Sequence, residues 1–454
     1  MRLARSAILA PIPGRDEVLL VQPLSGQVAL LTARNAQALQ ALEEGGALPA
    51  DLPEGTLREA GFVVGDAEEE EVLLRSALAT FREEVEKTPT QLLVVPTLSC
   101  NLRCTYCYQE LFEPDAKGLV PPPAVDAFFA YVDRHHAAEP VKPYVTLFGG
   151  EPLVDTPAHR DRVGRYLDGA RARGLKVAAV TNGYDLEAFA PLLAAGPVKE
   201  VQVTIDGPQA VHDARRPHAS GGGSFDRVVR GVGALVEAGV PVNLRMVADR
   251  RNLEALPALA ALAASRGWLD LPEERFKTQI GRNYELFGCA SRQDAGDLFG
   301  RVELWAAFVE LAERHPEVAR FHRPRFHGMR HLAETGEFPL ANFDACPATK
   351  KEWAFAPDGG VYGCTATVGN PAWRLGSYWP QVARDDDAVA RWQGRSVFTI
   401  PACRNCGLAP VCGGGCGAVA ARQGGDPMAP DCRPVRELIG IGARFYRLGQ
   451  DAGA

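Results

Sequence analysis

Six short apolar runs recur between residues 92 and 280: Leu92–Thr97, Tyr144–Phe148, Lys176–Thr181, Glu200–Ile205, Val242–Val247 and Arg275–Ile280. Each has strand length, and most are rich in β-branched residues. Between most of them, apolar positions fall three and four apart, at Ala124–His135, Arg160–Arg173, Leu186–Ala195 and Phe225–Ala238. That is the spacing of a helix with one buried face. Repeated strand–helix units predict a parallel sheet with right-handed crossovers. Six units suit an open, partial (β/α)6 barrel better than a closed eight-stranded one. Chemistry is then expected at the C-terminal ends of the strands.

The flanks have other rhythms. Residues 1–65 predict a small separate unit: strands Glu17–Val21 and Gln27–Leu31 around a Pro23–Gly26 turn, helices at Asn35–Glu44 and Glu54–Ala60, and a closing strand at 61–64. Strands, helices and a final strand suggest a winged-helix-like module of the kind that binds a peptide along a sheet edge. Residues 66–89 form an acidic helical linker, and the glutamates Glu68–Glu71 predict a solvated helix start. The barrel is expected over 90–300 and bridging helices over 301–340. Residues 341–440 are rich in Gly, Pro and Cys, so this loop-rich domain needs a staple, and metal is the obvious candidate.

Composition narrows the function classes. A chain of 454 residues, 46% hydrophobic and 23% charged, is long enough for several packed units and is not a disordered polymer. A net charge of −7 argues against a sequence-independent nucleic-acid binder. No run approaches the roughly 20 apolar residues of a membrane span. The opening apolar stretch is broken by Pro11 and Pro13, so a cytoplasmic protein without a secretory signal is expected. Ten of the eleven cysteines fall in two groups, with Cys289 alone. In a long chain without a signal peptide, that pattern points to metal ligands rather than disulfides.

The first group, Cys100, Cys104 and Cys107, is C-x3-C-x2-C directly after the first barrel strand. Three thiolates with no histidine nearby leave a zinc site short of a ligand, but can hold a [4Fe–4S] cluster with one iron open. With the aromatic Tyr106 before the third cysteine, the motif resembles the radical S-adenosylmethionine (SAM) superfamily. In that family the open iron chelates SAM, and an electron from the cluster cleaves it to a 5′-deoxyadenosyl radical. Gly149-Gly150-Glu151-Pro152 after the second strand resembles the motif that holds the SAM amino group: glycines permit backbone approach, and a carboxylate receives an ammonium. Asn182 after the third strand, Thr204 after the fourth and Arg216 beyond it resemble the family's further SAM contacts.

The second group is Cys346, Cys364, Cys403, Cys406, Cys412, Cys416 and Cys432. Its spacing resembles the seven-cysteine SPASM domain of peptide-modifying radical SAM enzymes, which carries two auxiliary [4Fe–4S] clusters. The resemblance implies that Cys403, Cys406, Cys412 and Cys432 hold one cluster, and Cys346, Cys364 and Cys416 the other. Two full clusters need eight thiolates. The missing ligand is Cys289, Asp344 or a substrate thiolate, though Cys289 also reads as a buried apolar residue. A zinc ribbon remains the alternative for this group. Relatives that oxidise a sulfatase residue carry an aspartate beside the cysteine matching Cys364, where this chain has Thr365.

His322, His327 and His331 form a basic, histidine-rich segment. His327 and His331 share a helix face if the segment is helical, and a solvated helix or a contact for an acidic peptide fits them better than a metal. Gly221–Ser224 lacks the lysine of a phosphate-binding loop and predicts a helix start capped by Ser224. Together these features predict a radical SAM/SPASM enzyme, an oxidoreductase that modifies a ribosomally made peptide by hydrogen-atom abstraction and forms a thioether or C–C crosslink. The expected partners are that peptide, with a leader, and a low-potential flavodoxin or ferredoxin, but no nucleic acid and no membrane. The alternatives are side-chain oxidation of a protein or cofactor-precursor peptide, and a non-catalytic metal-binding scaffold.

Overall fold

The computed structural model describes residues 1–44, 46–107, 118–283 and 295–448. Cys289 lies outside them. The chain opens with β1 (Arg2–Leu3), β2 (Ile8–Pro11), β3 (Glu17–Gln22), β4 (Gln27–Thr32), α1 (Ala33–Gln40), α2 (Glu54–Glu59) and β5 (Val63–Val64). β2, β3 and β4 form an antiparallel sheet in that order, and β1 pairs with β5. The sequence pattern missed β2, because prolines stand at and just beyond its end. The sheet has two apolar faces. Leu9, Val18, Leu20 and Leu31 pack with Leu39, Leu57 and Phe62 in a small core of their own. Ile8, Ala10, Leu19 and Val21 join the main core.

The linker is α3 (Ala67–Glu86), capped by Asp66, whose carboxylate accepts the N–H groups of Glu68 and Glu69. Where the pattern predicts a solvated helix start, two of the glutamates reach the N-terminal unit. Glu70 pairs with Arg2 (2.6 Å) and accepts the Ser6 N–H (3.2 Å), and Glu69 pairs with Arg58 (2.5 Å).

The barrel strands are β6 (Gln91–Val94), β7 (Tyr144–Leu147), β8 (Lys176–Thr181), β9 (Val198–Thr204), β10 (Val242–Ala248) and β11 (Phe276–Arg282). They are parallel and adjacent in chain order. Helices α4 (Pro122–His135), α5 (Pro157–Arg173), α6 (Leu186–Ala195), α7 (Gln209–Arg215), α8 (Phe225–Glu237) and α9 (Leu256–Ser265) fill the crossovers. One sheet face buries Leu92, Val94, Val145, Leu147, Val177, Val201, Val203 and Leu244 in the main core. Register places Gln91, Thr146, Gln202, Thr204, Asn243, Arg245 and Gln279 together on the other face. So much polarity on one face of a parallel sheet marks an interior built for a ligand rather than for packing.

Helices α10 (Arg301–Arg314), α11 (Pro316–Phe321) and α12 (Met329–Thr335) follow. The cysteine-rich region then adds β12 (Glu352–Phe355), β13 (Gly360–Tyr362), β14 (Arg374–Ser377) and β15 (Ala383–Arg384). β12 pairs in parallel with β6, and the other three continue antiparallel, so one ten-stranded sheet runs from β11 to β15. It is an open sheet, not a closed barrel. Helices α13 (Asp386–Gln393), α14 (Ala409–Cys412), α15 (Gly417–Gly424) and α16 (Val435–Phe445) complete the chain. α16 returns to β2 so closely that a Cβ at Gly440 would lie 2.1 Å from the Pro11 carbonyl oxygen.

The histidine segment departs from expectation. His327 has φ +51° and Gly328 is the N-cap of α12, so a backbone kink separates His327 from His331 and they do not share a helix face. Ser224 occupies the N-cap position of α8, but its hydroxyl donates to the Arg216 carbonyl (2.6 Å). The Asp213 carboxylate caps the helix instead, accepting the Ser224 and Phe225 N–H groups (both 2.8 Å).

His212 is fully buried on α7. Its Nδ1 accepts the Asp206 N–H (3.2 Å) and its Nε2 meets the Ser224 hydroxyl (3.1 Å). Burial, helped by the Arg216 charge, pushes it down to about 4 from an ordinary 6.5. The fold therefore holds His212 neutral where the unfolded chain protonates it. Its stabilising contribution is complete above pH 6.5 and is lost as the pH falls toward 4. Thermal melts across that window are expected to show the midpoint falling on acidification, with a shallower fall in His212→Asn. Equal slopes in the two proteins would show that the titration lies elsewhere.

Candidate functional site: a thiol loop at the strand ends

The loop carrying Cys100, Cys104 and Cys107 leaves β6 and is fixed by backbone pairing. The Gly150 N–H donates to the Thr97 carbonyl (2.9 Å) and the Glu151 N–H to that of Ser99 (2.8 Å). On its other side, the Arg103 N–H donates to Pro217 O, the Thr105 N–H to Arg215 O and the Ala219 N–H to Asn101 O. The glycines are forced by this closeness. A Cβ at Gly150 would stand 2.1 Å from Ser99 O, and one at Gly149, with φ +131°, 2.5 Å from Thr97 O.

Glu151 is 1% exposed. Its carboxylate accepts the Thr181 hydroxyl (2.7 Å) and the N–H groups of Asn182 (2.6 Å) and Leu153 (2.9 Å). Burial pushes it up to about 7 despite these bonds. Glu151 thus bolts the glycine loop to the end of β8. Asn182 continues the link, with its Nδ2 2.7 Å from Asn101 Oδ1 and 3.5 Å from the Cys100 sulfur. Thr204 ends β9 in register with Arg245.

Behind the loop lies a buried charge network. Asp206, 0% exposed, accepts the Tyr106 hydroxyl (2.7 Å), Arg215 Nε (3.2 Å) and the Val247 N–H (3.0 Å). Arg215 also pairs with Asp249 (2.7 Å), and Arg216 donates to the Tyr106 hydroxyl (2.6 Å). Burial alone would raise Asp206; Arg215 and Arg216 outweigh it and hold the carboxyl below its ordinary range.

Burial pushes Cys100 and Cys104 up to about 11, with Arg216 opposing it at Cys104. The buried Arg216 Nε has no hydrogen-bond partner. A guanidinium with an unused donor near the Cys104 thiol suits an anionic thiolate cluster, so these residues fit the group that their spacing implies.

The C-terminal cysteines gather in two places. Cys403, Cys406, Cys412 and Cys432 form one group, in which Cys406 and Cys412 lie close enough to both Cys403 and Cys432 to add to the upward push of burial on those two thiols; Cys406 and Cys432 are exposed. Cys346, Cys364 and Cys416 form the other group. None of these cysteines is in a disulfide. Among the described residues no three His, Cys, Asp or Glu side chains converge closely enough for one ion. Asp344, a candidate eighth ligand, is occupied by an ion pair to Lys350 and by the Cys346 N–H (3.1 Å).

Comparison with known proteins identifies the core. Residues 94–263 match the radical SAM superfamily. This is a radical SAM domain. Such domains use a [4Fe–4S] cluster and SAM, and the cysteine-rich C-terminal region fits auxiliary clusters. The chain is 32% identical over 174 residues to AdoMet-dependent heme synthase of Methanosarcina barkeri, covering 38% of this chain and 46% of that protein. It is 33% identical over 187 residues to GTP 3′,8-cyclase of Mesorhizobium japonicum, covering 40% and 53%. The chain thus spans about half the length of the curated relatives it matches.

Two solved structures share the fold over more of the chain. anSMEcpe with bound AdoMet and Cp18Cys peptide superposes with TM-score 0.58 at 17% identity, over 79% of this chain and 96% of that one. Streptococcus suis SuiB bound to precursor peptide SuiA gives 0.53 at 14% identity, over 96% and 99%.

Two residues of the radical SAM domain and its extension escaped sequence reasoning. Arg245 stands on the polar face of the sheet with no ion pair among the described residues, and its Nε lacks a partner. A Cβ at Gly281 would lie 2.6 Å from its guanidinium, so that glycine makes room for it. The available signal was an arginine in mid-strand, Asn-Leu-Arg-Met, where a parallel sheet is usually apolar. Glu352 opens β12 on the same sheet face, and its carboxylate accepts the Thr365 N–H (3.3 Å). Burial pushes it up to about 7 against that bond.

Gly150→Ala is expected to destabilise the protein by about 1–3 kcal/mol through overpacking. It should also lower the iron retained after anaerobic reconstitution, because the thiol loop must shift to admit the methyl. Thermal melting and iron analysis on the same preparation check both effects.

Proposed function

We propose that this chain is a radical SAM enzyme that modifies a ribosomally made peptide, forming a thioether or a C–C crosslink. The reading is carried by the meeting, in one chain, of a three-thiol loop at the strand ends, a polar sheet face below it, and two further cysteine groups. When bound, the cluster and SAM supply a 5′-deoxyadenosyl radical that removes a hydrogen atom from the substrate.

The chain's own residues do the rest. Cys100, Cys104 and Cys107 hold the cluster, and the Arg216 guanidinium balances its negative charge. Glu151, whose carboxylate keeps an acceptor position beyond its three donors, and the carbonyl groups of the glycine loop would receive the SAM ammonium, with Asn182 and Thr204 lining the same strand ends. Arg245, unpaired on the inner face, faces an anionic group of SAM or substrate. Cys406 and Cys432, exposed at the surface, offer the route by which a low-potential donor or acceptor exchanges electrons with the four-thiol cluster.

Recognition of the peptide is assigned to the N-terminal unit. α16 covers β2, while β4 pairs only with β3 among the described residues. The open β4 edge can accept an added strand through main-chain hydrogen bonds. No helix among the described residues is long and apolar enough to cross a membrane.

Anaerobic reconstitution is expected to give about twelve irons per chain, as three [4Fe–4S] clusters require. With SAM and dithionite the protein should then release 5′-deoxyadenosine, and Cys104→Ala should release none. A protein carrying that iron but forming no deoxyadenosine would overturn the reading. A crosslink shows as loss of two hydrogens from the peptide, and thioether formation also removes a peptide cysteine from alkylation. Other oxidations change the mass differently.

A further inference from the structure

The three-cysteine group lacks a fourth thiolate among the described residues, and its surroundings hold three carboxylates. Two are engaged. Asp344 pairs with Lys350 and accepts the Cys346 N–H. Asp431 takes both Arg301 contacts (2.9 and 3.1 Å) and accepts the Cys416 N–H (3.0 Å). Glu352 is different. Among the described residues it has no ion pair, and its single side-chain hydrogen bond comes from the Thr365 N–H.

Its position is set by the two loops that carry Cys346 and Cys364. The Glu352 N–H donates to Pro347 O (2.9 Å), and its carbonyl accepts the Thr349 N–H (2.8 Å), closing a turn that begins at the residue after Cys346. Thr365, which reaches its carboxylate, follows Cys364 directly. Strand register aims Glu352 to the same inner face as Ala354, and across β13 that face continues through Tyr362 toward Cys364. A largely buried carboxylate with no cation is costly. An iron with three sulfide contacts and no protein ligand is a Lewis acid lacking a donor. Each supplies what the other needs, and carboxylate oxygen is an ordinary iron ligand.

We propose that Glu352 is the fourth protein ligand of the cluster held by Cys346, Cys364 and Cys416, binding through one carboxylate oxygen. The bond formed is Fe–O, the displaced ligand is water, and any carboxyl proton passes to solvent; no electron moves. The inference rests on reading those cysteines as auxiliary-cluster ligands. It makes this cluster closed to substrate, so the peptide is bound without direct coordination to it.

The test uses the full chain with Cys100→Ala, Cys104→Ala and Cys107→Ala, which removes the SAM cluster and leaves the auxiliary pair. This parent is expected to hold about eight irons and to stay free of a [3Fe–4S] EPR signal after mild oxidation. Adding Glu352→Gln should lose about one iron per chain and give the [3Fe–4S] signal, and Glu352→Cys should abolish that signal. If Glu352→Gln keeps all its iron and stays silent, the inference is overturned, and a signal from Cys289→Ser would then assign the ligand there. If the parent itself gives the signal, the cluster is open and the inference again fails. A parent with only about four irons would instead sink the two-cluster reading on which the inference stands.

Discussion

The fold around the thiol loop depends on one buried charge network. Asp206 and Asp249 are both fully buried, and Arg215 joins them. Taking these charges out of water is costly, and the network is stable because Arg215 bonds both carboxylates. Its members come from two strand ends and the helix between them: Asp206 after β9, Val247 near the end of β10 with Asp249 just beyond it, and Arg215 closing α7. Tyr106 lies inside the cysteine loop and donates into the same carboxylate. The network therefore does two jobs with one set of contacts. It closes the strand ends against each other, and it holds the loop between two of its cysteines.

Much of this was legible in residue order. The six barrel strands appear as apolar runs because the sheet packs one face against helices, and Lys176–Thr181 matches β8 at both ends. The thiol loop and the glycine motif stand out because their chemistry demands particular residues at particular spacings. What stayed hidden shares a different cause. Strands β12 to β15 are two to four residues long, set among Gly, Pro and Cys, and too short to show a period. The kink at His327 is a single-residue conformational choice. Arg245 and Glu352 matter through the face of the strand they occupy and the partners they lack, and both become visible only once register is known.

Glu151 shows how much of a motif's work lies below the level of residue order. Sequence places a carboxylate beside the thiol loop, and charge complementarity suggests that it meets a cation. In the structure, donors from β8 and from its own loop take the carboxylate. What the motif presents to the open side is main chain, brought close because Gly149 and Gly150 have no side chains to hold it away.

The first and last parts of the chain meet: α16 lies against β2, and Gly440 allows a contact that no larger residue could make. Arg15 reinforces it by donating to the carbonyl of Leu448 (2.7 Å). The N-terminal sheet is thereby riveted to the body of the molecule rather than hung from it by α3 alone. A peptide anchored on the outer edge of that sheet would be measured against a fixed gauge. The span from anchor to thiol loop would be constant, so a substrate would be chosen by how many residues separate its docking segment from the residue to be altered, as well as by what those residues are.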